Sequence, residues 1–258
     1  MSSTCFIEDD PSNALWRRGL AEALGTLFLV LAAAGAGAAH GASGQIPELH
    51  LIAAALSTAL ALVGLVIALG SVSGGHFNPL ITALQWLRGE RDATCTAVYC
   101  GCQMLGAVFG GIIVDLVSGA QTRMTELDAP TWSLVSSEFI CSLALMLIVF
   151  GCIRSGRTIT GPLAVGAWLI AAILATPSAS YANPALTMGA VIARGSIALS
   201  PTTAISYVIA QIAGAAVALL PLSAIYPSKD RLRHSTERAT GEQQDGASSR
   251  KHVMNAIR

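Results

Sequence analysis

The feature that most constrains this chain is the length of its segments without charge. Residues 49–87, 158–193 and 195–228 contain no Asp, Glu, Lys or Arg over 39, 36 and 34 residues. A helix that spans a membrane needs about 20 consecutive apolar residues. Charged residues make up 12% of the chain, about half the roughly 25% typical of a soluble domain. The sequence therefore predicts an all-α integral membrane protein.

Six membrane spans follow from the positions of the charges. They are centred near residues 20–40, 51–70, 95–117, 134–153, 161–176 and 204–226. We expect residues 1–16 to form an N-terminal segment and residues 227–258, rich in Ser, Gln, Arg and Glu, to form a flexible tail. The formal net charge is zero and the pI is near 6.9, so the basic surface typical of a nucleic-acid partner is missing.

Two of the uncharged segments are too long for one span and too short for two good ones. Each carries a break near its middle, Ser73–Leu80 in one and Ser178–Ala185 in the other, and each break ends in an Asn-Pro pair. Proline suits the first position of a helix. About ten uncharged residues follow each pair, enough for roughly 15 Å of helix, or half a bilayer. The sequence therefore predicts two re-entrant half-helices.

The basic residues predict the orientation in the membrane. With six spans, thirteen of the fifteen Lys and Arg fall on the side that holds both termini, and only Arg123 and Arg194 fall on the other. The positive-inside rule then places both termini in the cytoplasm. The first residues include Glu8, Asp9 and Asp10 and show no pattern of a cleaved signal peptide.

The two halves of the chain resemble each other. The segment Ala21–Thr26 corresponds to Ser137–Ser142, and the Asn-Pro pair recurs 105 residues later. A Tyr-x3-Gln-x2-Gly-Ala pattern begins at Tyr99 and again at Tyr207. Each half, about 17–118 and 133–226, holds three spans, so the second half must be inverted. Inverted repeats place the working site near the midplane, where broken helices meet.

On these residues the chain resembles the aquaporin or major intrinsic protein family of water and small-solute channels. The resemblance covers about residues 17–226 and rests on Ala21–Thr26, Ser73–Pro79 and the Asn183-Pro184-Ala185 box. Leu80 stands where the family usually has alanine in the first box, Asn78-Pro79-Leu80. The resemblance implies six helices and two half-helices that meet head to head. It also implies one pore per subunit, a homotetramer in the plasma membrane, here a bacterial inner membrane, and no metal or cofactor.

The candidate pore residues follow from the two boxes. Asn78 and Asn183 would cap half-helices whose positive ends point at the midplane, and their amides would donate to the oxygen of a passing water or polyol. His76 either lines the same half of the pore as the first box or packs in the interior. Glu22 and Glu138 are ionisable groups inside spans, typical of function, but the resemblance favours a scaffold role in which they accept backbone N–H groups.

The selectivity filter is where the sequence departs from the family. The residue after the second box, usually Arg, is Leu186, and Arg194 lies eight residues further along the half-helix. The other filter positions fall on Thr58, on Ser180 and on or near Ile173, and none is aromatic or charged. We therefore expect a wide filter that passes glycerol or the neutral hydroxide of arsenic(III). The alternative is that another residue closes the gap and the pore passes water alone.

Two other function classes compete with a passive channel. A secondary transporter shares inverted repeats and broken helices, and Glu22 and Glu138 are the carboxylates that would couple transport to an ion. An intramembrane enzyme would need catalytic motifs, and no His-Glu-x-x-His, Gly-x-Ser-x-Gly or paired aspartates occur in the spans. We expect a channel, with no catalytic residues.

Overall fold

The computed structural model describes residue 6 and residues 12–38, 47–118, 130–157, 159–195 and 197–226. The described part of the chain contains eight α-helices and no strand. Their bounds are α1 Leu15–Ala38, α2 Pro47–Ser73, α3 Pro79–Leu87, α4 Ala93–Ser118, α5 Trp132–Arg154, α6 Gly161–Ala175, α7 Pro184–Ile192 and α8 Pro201–Ile225. The predicted all-α fold with two short helices after the Asn-Pro pairs is confirmed. The predicted tail, residues 227–258, lies outside the described residues.

Five of the helices, α1, α2, α4, α5 and α8, are long and apolar enough to cross a membrane. Their outward faces carry exposed apolar side chains such as Leu116 and Trp132, which are 78% and 86% exposed. A face of this composition is suited to lipid and unsuited to water.

The fifth predicted span, α6, differs from the other five because it has only 15 residues. At 1.5 Å per residue it extends for roughly 22 Å, short of a whole hydrocarbon core. Pro177 explains where it stops, because a proline disfavours helical backbone in the residue before it. Thr176 is accordingly extended, with φ −122° and ψ 143°. The chain then continues as a loop to the second Asn-Pro pair.

Two glycines of the repeat mark equivalent helix crossings. A Cβ on Gly106 in α4 would lie 2.1 Å from the carbonyl oxygen of Ala23 in α1, and one on Gly214 in α8 would lie 2.2 Å from that of Phe139 in α5. Any larger residue would push these backbones apart. The Gly-Ala element of the Tyr-x3-Gln-x2-Gly-Ala pattern is therefore a packing requirement, met once in each half.

Arginines gather at one end of the helix bundle. The side chains of Arg88 and Arg154 both contact Glu90 Oε1, at 3.1 and 2.6 Å. Those of Arg18 and Arg91 both contact Cys95 Sγ, at 3.0 and 2.9 Å. Basic residues in or next to α1, α3, α4 and α5 thus lie at the same end of the bundle.

The chain divides into two compact units, residues 1–219 and residues 220–258. All the residues of the two Asn-Pro boxes, and every side chain that contacts them below, belong to the first unit. The described part of the second unit is the end of α8 and Tyr226.

Candidate functional site

Asn78 and Asn183 are the N-caps of the half-helices α3 and α7. Both have extended backbone, and the side-chain oxygen of Asn78 accepts the amide of Leu80 at 3.0 Å. That of Asn183 accepts the amides of Ala185 at 2.9 Å and Leu186 at 3.4 Å. Pro79 and Pro184 occupy the first helical positions, where a missing N–H costs no hydrogen bond. Each Asn-Pro pair therefore starts its half-helix by the same local chemistry.

The two caps are also bonded across the repeat. Asn78 Nδ2 donates to the carbonyl oxygen of Ala182 at 2.9 Å, and Asn183 Nδ2 donates to that of Phe77 at 2.8 Å. These reciprocal bonds hold α3 and α7 with their N-termini facing each other, so the second half is inverted relative to the first. Each amide has two N–H groups, so one N–H on each asparagine remains for a molecule in the space between them. Each half-helix adds about half a positive charge at this point.

Glu22 is buried and shapes the loop before the first box. Its Oε1 accepts the Ser73 hydroxyl at 2.6 Å and the His76 amide at 3.0 Å. Its Oε2 accepts the Phe77 amide at 2.7 Å and Gln103 Nε2 at 2.7 Å. The carboxylate is fully enclosed by these four donors. This is the geometry of a scaffold that holds a re-entrant loop.

Glu138 repeats the arrangement in the second half. Its Oε1 accepts the Ser178 hydroxyl at 2.6 Å and the Tyr181 amide at 2.9 Å. Its Oε2 accepts the Ala182 amide at 2.8 Å and Gln211 Nε2 at 2.7 Å. Gln103 and Gln211 are the glutamines of the repeated Tyr-x3-Gln pattern. The structure thus explains why a Glu in the first helix and a Gln in the last helix recur together in each half.

The backbone of both loops is left-handed at matching positions. In the first loop Gly74, Gly75 and Phe77 have φ values of 92°, 65° and 47°. In the second loop Ala179, Ser180 and Ala182 have φ values of 55°, 50° and 43°. Glycine adopts this conformation without a steric penalty, whereas Ala and Ser do so at about 1–2 kcal/mol each. The bonds to Glu138 offset that cost in the second loop.

Two cavities that share three lining residues lie beside the Asn-Pro boxes. The wide cavity, of about 260 Å³, is lined by all four predicted filter residues and by seven others: Ala33, His50, Leu51, Ala54, Ala179, Tyr181 and Ile197. The narrow cavity, of about 30 Å³, reaches from the filter past both asparagines to His76 and Phe6. A water needs about 10–15 Å³ of such space, so the narrow cavity has room for about two or three waters.

Thr58, Tyr181 and Leu186 line both cavities and so border the passage between them. Ile173 and Ser180 line the wide cavity only, and both are buried. The predicted filter residues are therefore brought together in space, although they come from α2, α6, the second loop and α7.

Tyr181 is a residue of this passage that the sequence reasoning missed. Its ring packs beside Tyr207 with a centroid separation of 5.7 Å, and its hydroxyl donates to the carbonyl oxygen of Ile197 at 2.7 Å. Tyr181 thus adds an aromatic side chain to the lining, beside the four predicted filter residues, none of which is aromatic. The sequence signal that could have identified Tyr181 was its position between Ser180 and the second box. The left-handed residues that bend this loop are seen in the structure.

Arg194 does not take the place of a filter arginine. Its Nε lies 3.3 Å from Asp115 Oδ2, and its amide donates to Asp115 Oδ1 at 2.7 Å. Arg194 lines neither cavity. Its charge serves to join the end of α7 to α4.

His76 both lines the narrow cavity and is fixed by neighbours. Its Nδ1 lies 2.9 Å from Thr82 Oγ1, and its Nε2 lies 2.6 Å from the carbonyl oxygen of Phe6. The two readings left open by the sequence are therefore compatible. Within the described ranges, no three His, Cys, Asp or Glu side chains are grouped closely enough to hold a metal ion.

Replacing Glu138 by glutamine is expected to lower the free energy of unfolding by about 3 kcal/mol, because an amide NH2 would then face donors that now point at a carboxylate. The expected readout is a fall of several degrees in the melting temperature in detergent. Glu90→Gln is the matched control, since Glu90 forms solvent-accessible ion pairs with Arg88 and Arg154, which contribute little to stability. Equal melting temperatures for Glu138→Gln and the parent would contradict a scaffold role.

The fold and the boxes define a class of membrane protein, one with an inverted repeat, two half-helices that meet at their N-termini and a solute pathway between them. The sequence profile described as major intrinsic protein matches residues 11–180 and 163–257. The chain belongs to the major intrinsic protein family.

Relatives of known name agree with this membership. The chain is 33% identical to the aquaglyceroporin AqpS of Rhizobium meliloti (strain 1021), over 80% of this chain and 88% of that protein. It is 31% identical to aquaporin NIP1-1 of Zea mays, over 76% of this chain and 71% of that protein. The solved aquaglyceroporin of Plasmodium falciparum matches with a TM-score of 0.62 and 20% identity, over 81% of this chain and 96% of that one, which is a likeness of fold.

Proposed function

We propose that the chain is a passive channel for water and small neutral solutes such as glycerol, with one pore per subunit. The observation that carries the proposal is the narrow cavity lined by Asn78 and Asn183, the N-caps of the two facing half-helices. This cavity shares three lining residues with the wider cavity at the filter. A neutral oxygen-bearing solute is stabilised there by the remaining amide N–H groups. A cation is repelled by the positive helix ends.

The filter favours solutes larger than water. Thr58 and Ser180 supply hydroxyl groups, while Ile173 and Leu186 supply apolar walls, and no cationic side chain narrows the passage. A polyol has hydroxyl groups along one edge and carbon atoms along the other. Its hydroxyl groups can therefore hydrogen-bond to the polar wall while its carbon atoms contact the apolar wall. Glycerol and the neutral hydroxide of arsenic(III) both fit this description, and the Rhizobium relative is named an aquaglyceroporin.

A coupled transporter is the weaker alternative on this geometry. It needs a carboxylate that faces the pathway and exchanges a proton or a sodium ion. Glu22 and Glu138 each accept four hydrogen bonds, are fully buried and line neither cavity. Both carboxylates instead accept backbone amides of the loops that precede the two Asn-Pro boxes.

The proposal includes the assembly and location of the channel. The chain acts as a homotetramer in a bacterial inner membrane, with both termini in the cytoplasm, and it has no catalytic role. The clustering of Arg18, Arg88, Arg91 and Arg154 at one end supports this orientation under the positive-inside rule.

The test is flux through the purified protein in proteoliposomes, measured by stopped-flow light scattering with water, glycerol, urea and arsenite side by side. We expect water and glycerol flux above that of protein-free liposomes, unchanged when a proton or sodium gradient is imposed or collapsed. Flux that requires either gradient would establish a transporter instead.

A further inference from the structure

Phe6 lies inside the helix bundle at the α3 end of the proposed pore. Its side chain is only 2% exposed and lines the narrow cavity together with His76 and Asn78. Phe6 belongs to residues 1–16, which the sequence-based prediction placed before the channel domain, and it lines the narrow cavity. Its backbone is left-handed, with φ 63°, which is costly for a large residue and requires compensating contacts.

The carbonyl oxygen of Phe6 receives hydrogen bonds from two side chains. His76 Nε2 lies at 2.6 Å and Gln85 Nε2 lies at 2.8 Å. A carbonyl oxygen can only accept, so both nitrogens must donate, and His76 carries a proton on Nε2. His76 and Gln85 are each only 1% exposed, so these donors are buried and a loss of the acceptor would leave them unsatisfied.

Gln85 is held so that its NH2 group faces this oxygen. Its Oε1 accepts Arg91 Nε at 3.1 Å, which fixes the orientation of the amide. His76 is fixed in the same way, with Thr82 at its other ring nitrogen. The two donors are thus pre-arranged around the oxygen of Phe6, and Phe6 and His76 both line the narrow cavity.

A pre-arranged pair of N–H donors is what a permeating hydroxyl or water oxygen would bind. We propose that His76 and Gln85 form an oxygen-binding site of the pore, and that Phe6 keeps this end closed by filling the site with its own carbonyl and the lumen with its ring. This inference rests on the proposed channel function. Opening then requires Phe6 to leave, and a neutral hydroxylated solute competes with its carbonyl for the same donors.

Two substitutions release Phe6 by different routes. Phe6→Ala removes the ring from the lumen. Gln85→Glu keeps an oxygen for Arg91 but replaces the donating NH2 by a carboxylate that repels the Phe6 carbonyl. Loss of one hydrogen bond of ordinary net strength biases an open–closed equilibrium by roughly fivefold, so Gln85→Glu is expected to raise glycerol and water flux by about that factor. Phe6→Ala keeps the backbone carbonyl and its two bonds but no longer fills the lumen, so it is also expected to exceed the parent.

The control is Phe109→Ala. Phe109 lies on α4, is 56% exposed and lines neither cavity. All four proteins are reconstituted at equal density, after size-exclusion chromatography to show that each is folded. Flux is measured with water and with glycerol. We expect Phe6→Ala and Gln85→Glu to exceed the parent and Phe109→Ala to equal it.

The failures of the two proposals are distinguishable. If the parent conducts and neither releasing variant exceeds it, Phe6 does not close the pore and the channel assignment stands. If none of the four proteins conducts above protein-free liposomes, the channel assignment fails and the closure with it. If both releasing variants conduct and the parent does so weakly, both proposals are supported.

Discussion

Replacing Leu186 by arginine is expected to cut glycerol flux by about tenfold or more while water flux changes by less than about threefold. Leu186 borders both cavities, and its amide is held by Asn183 Oδ1. An arginine there adds a longer side chain and a positive charge to a wall that is now apolar. Water is small enough to pass and to accept from the guanidinium. Glycerol must fit its carbon backbone through the narrowed passage and loses the apolar contact.

The measurement is stopped-flow swelling and shrinking of proteoliposomes with each solute. Leu186→Met is the matched control, because methionine has a similar reach without the charge, and we expect it to behave like the parent. Unchanged glycerol flux in Leu186→Arg would mean that the passage is limited elsewhere, with Tyr181 the first candidate. A parent that passes water alone would refute the wide filter.

Replacing Asn183 by leucine is expected to abolish both water and glycerol flux, a loss of roughly a hundredfold or more, since the cap and the donor for a permeating oxygen are lost together. The substitution removes the cap of α7, the bond to the Phe77 carbonyl oxygen and the N–H that faces the narrow cavity. Two methyl groups take the place of the amide, so this wall of the narrow cavity becomes apolar.

Loss of flux must be separated from loss of folding. Asn183→Asp retains the side-chain oxygen that caps α7 but has no N–H to donate, so it should assemble and still conduct poorly. Asn13→Leu, before the start of α1, is the control for a partly exposed asparagine outside the two cavities. Undiminished flux in an assembled Asn183→Leu protein would remove the asparagines from the pore.

The long uncharged segments, the two Asn-Pro pairs and the repeated patterns were sufficient to predict the helices. This is so because lipid imposes a simple rule: backbone polar groups must be satisfied within a helix, and charges must stay at its ends. Proline after asparagine fixed where each half-helix begins for reasons confined to two residues. The short α6, Gly161–Ala175, lies within one residue of the span predicted at 161–176, and Pro177 accounts for its end.

The wall of the candidate pore was only partly predictable. Spacing from the asparagines gave Thr58, Ile173, Ser180 and Leu186, all of which line the wide cavity. Spacing cannot show that a loop residue turns its ring inward, which is how Tyr181 was missed. Nor can it show that a residue far from any motif, such as Phe6, returns to a cavity formed by later helices.

The sequence by itself determined the membrane class, the inverted repeat and the starts of both half-helices, since these depend on residue type over short stretches. The tertiary structure alone decided that Glu22 and Glu138 each collect four donors, and that each asparagine bonds the opposite loop. The physical reason is that a buried polar group is stable only with partners, and those partners come from segments up to 106 residues apart. Such pairings exist only after the helices have packed.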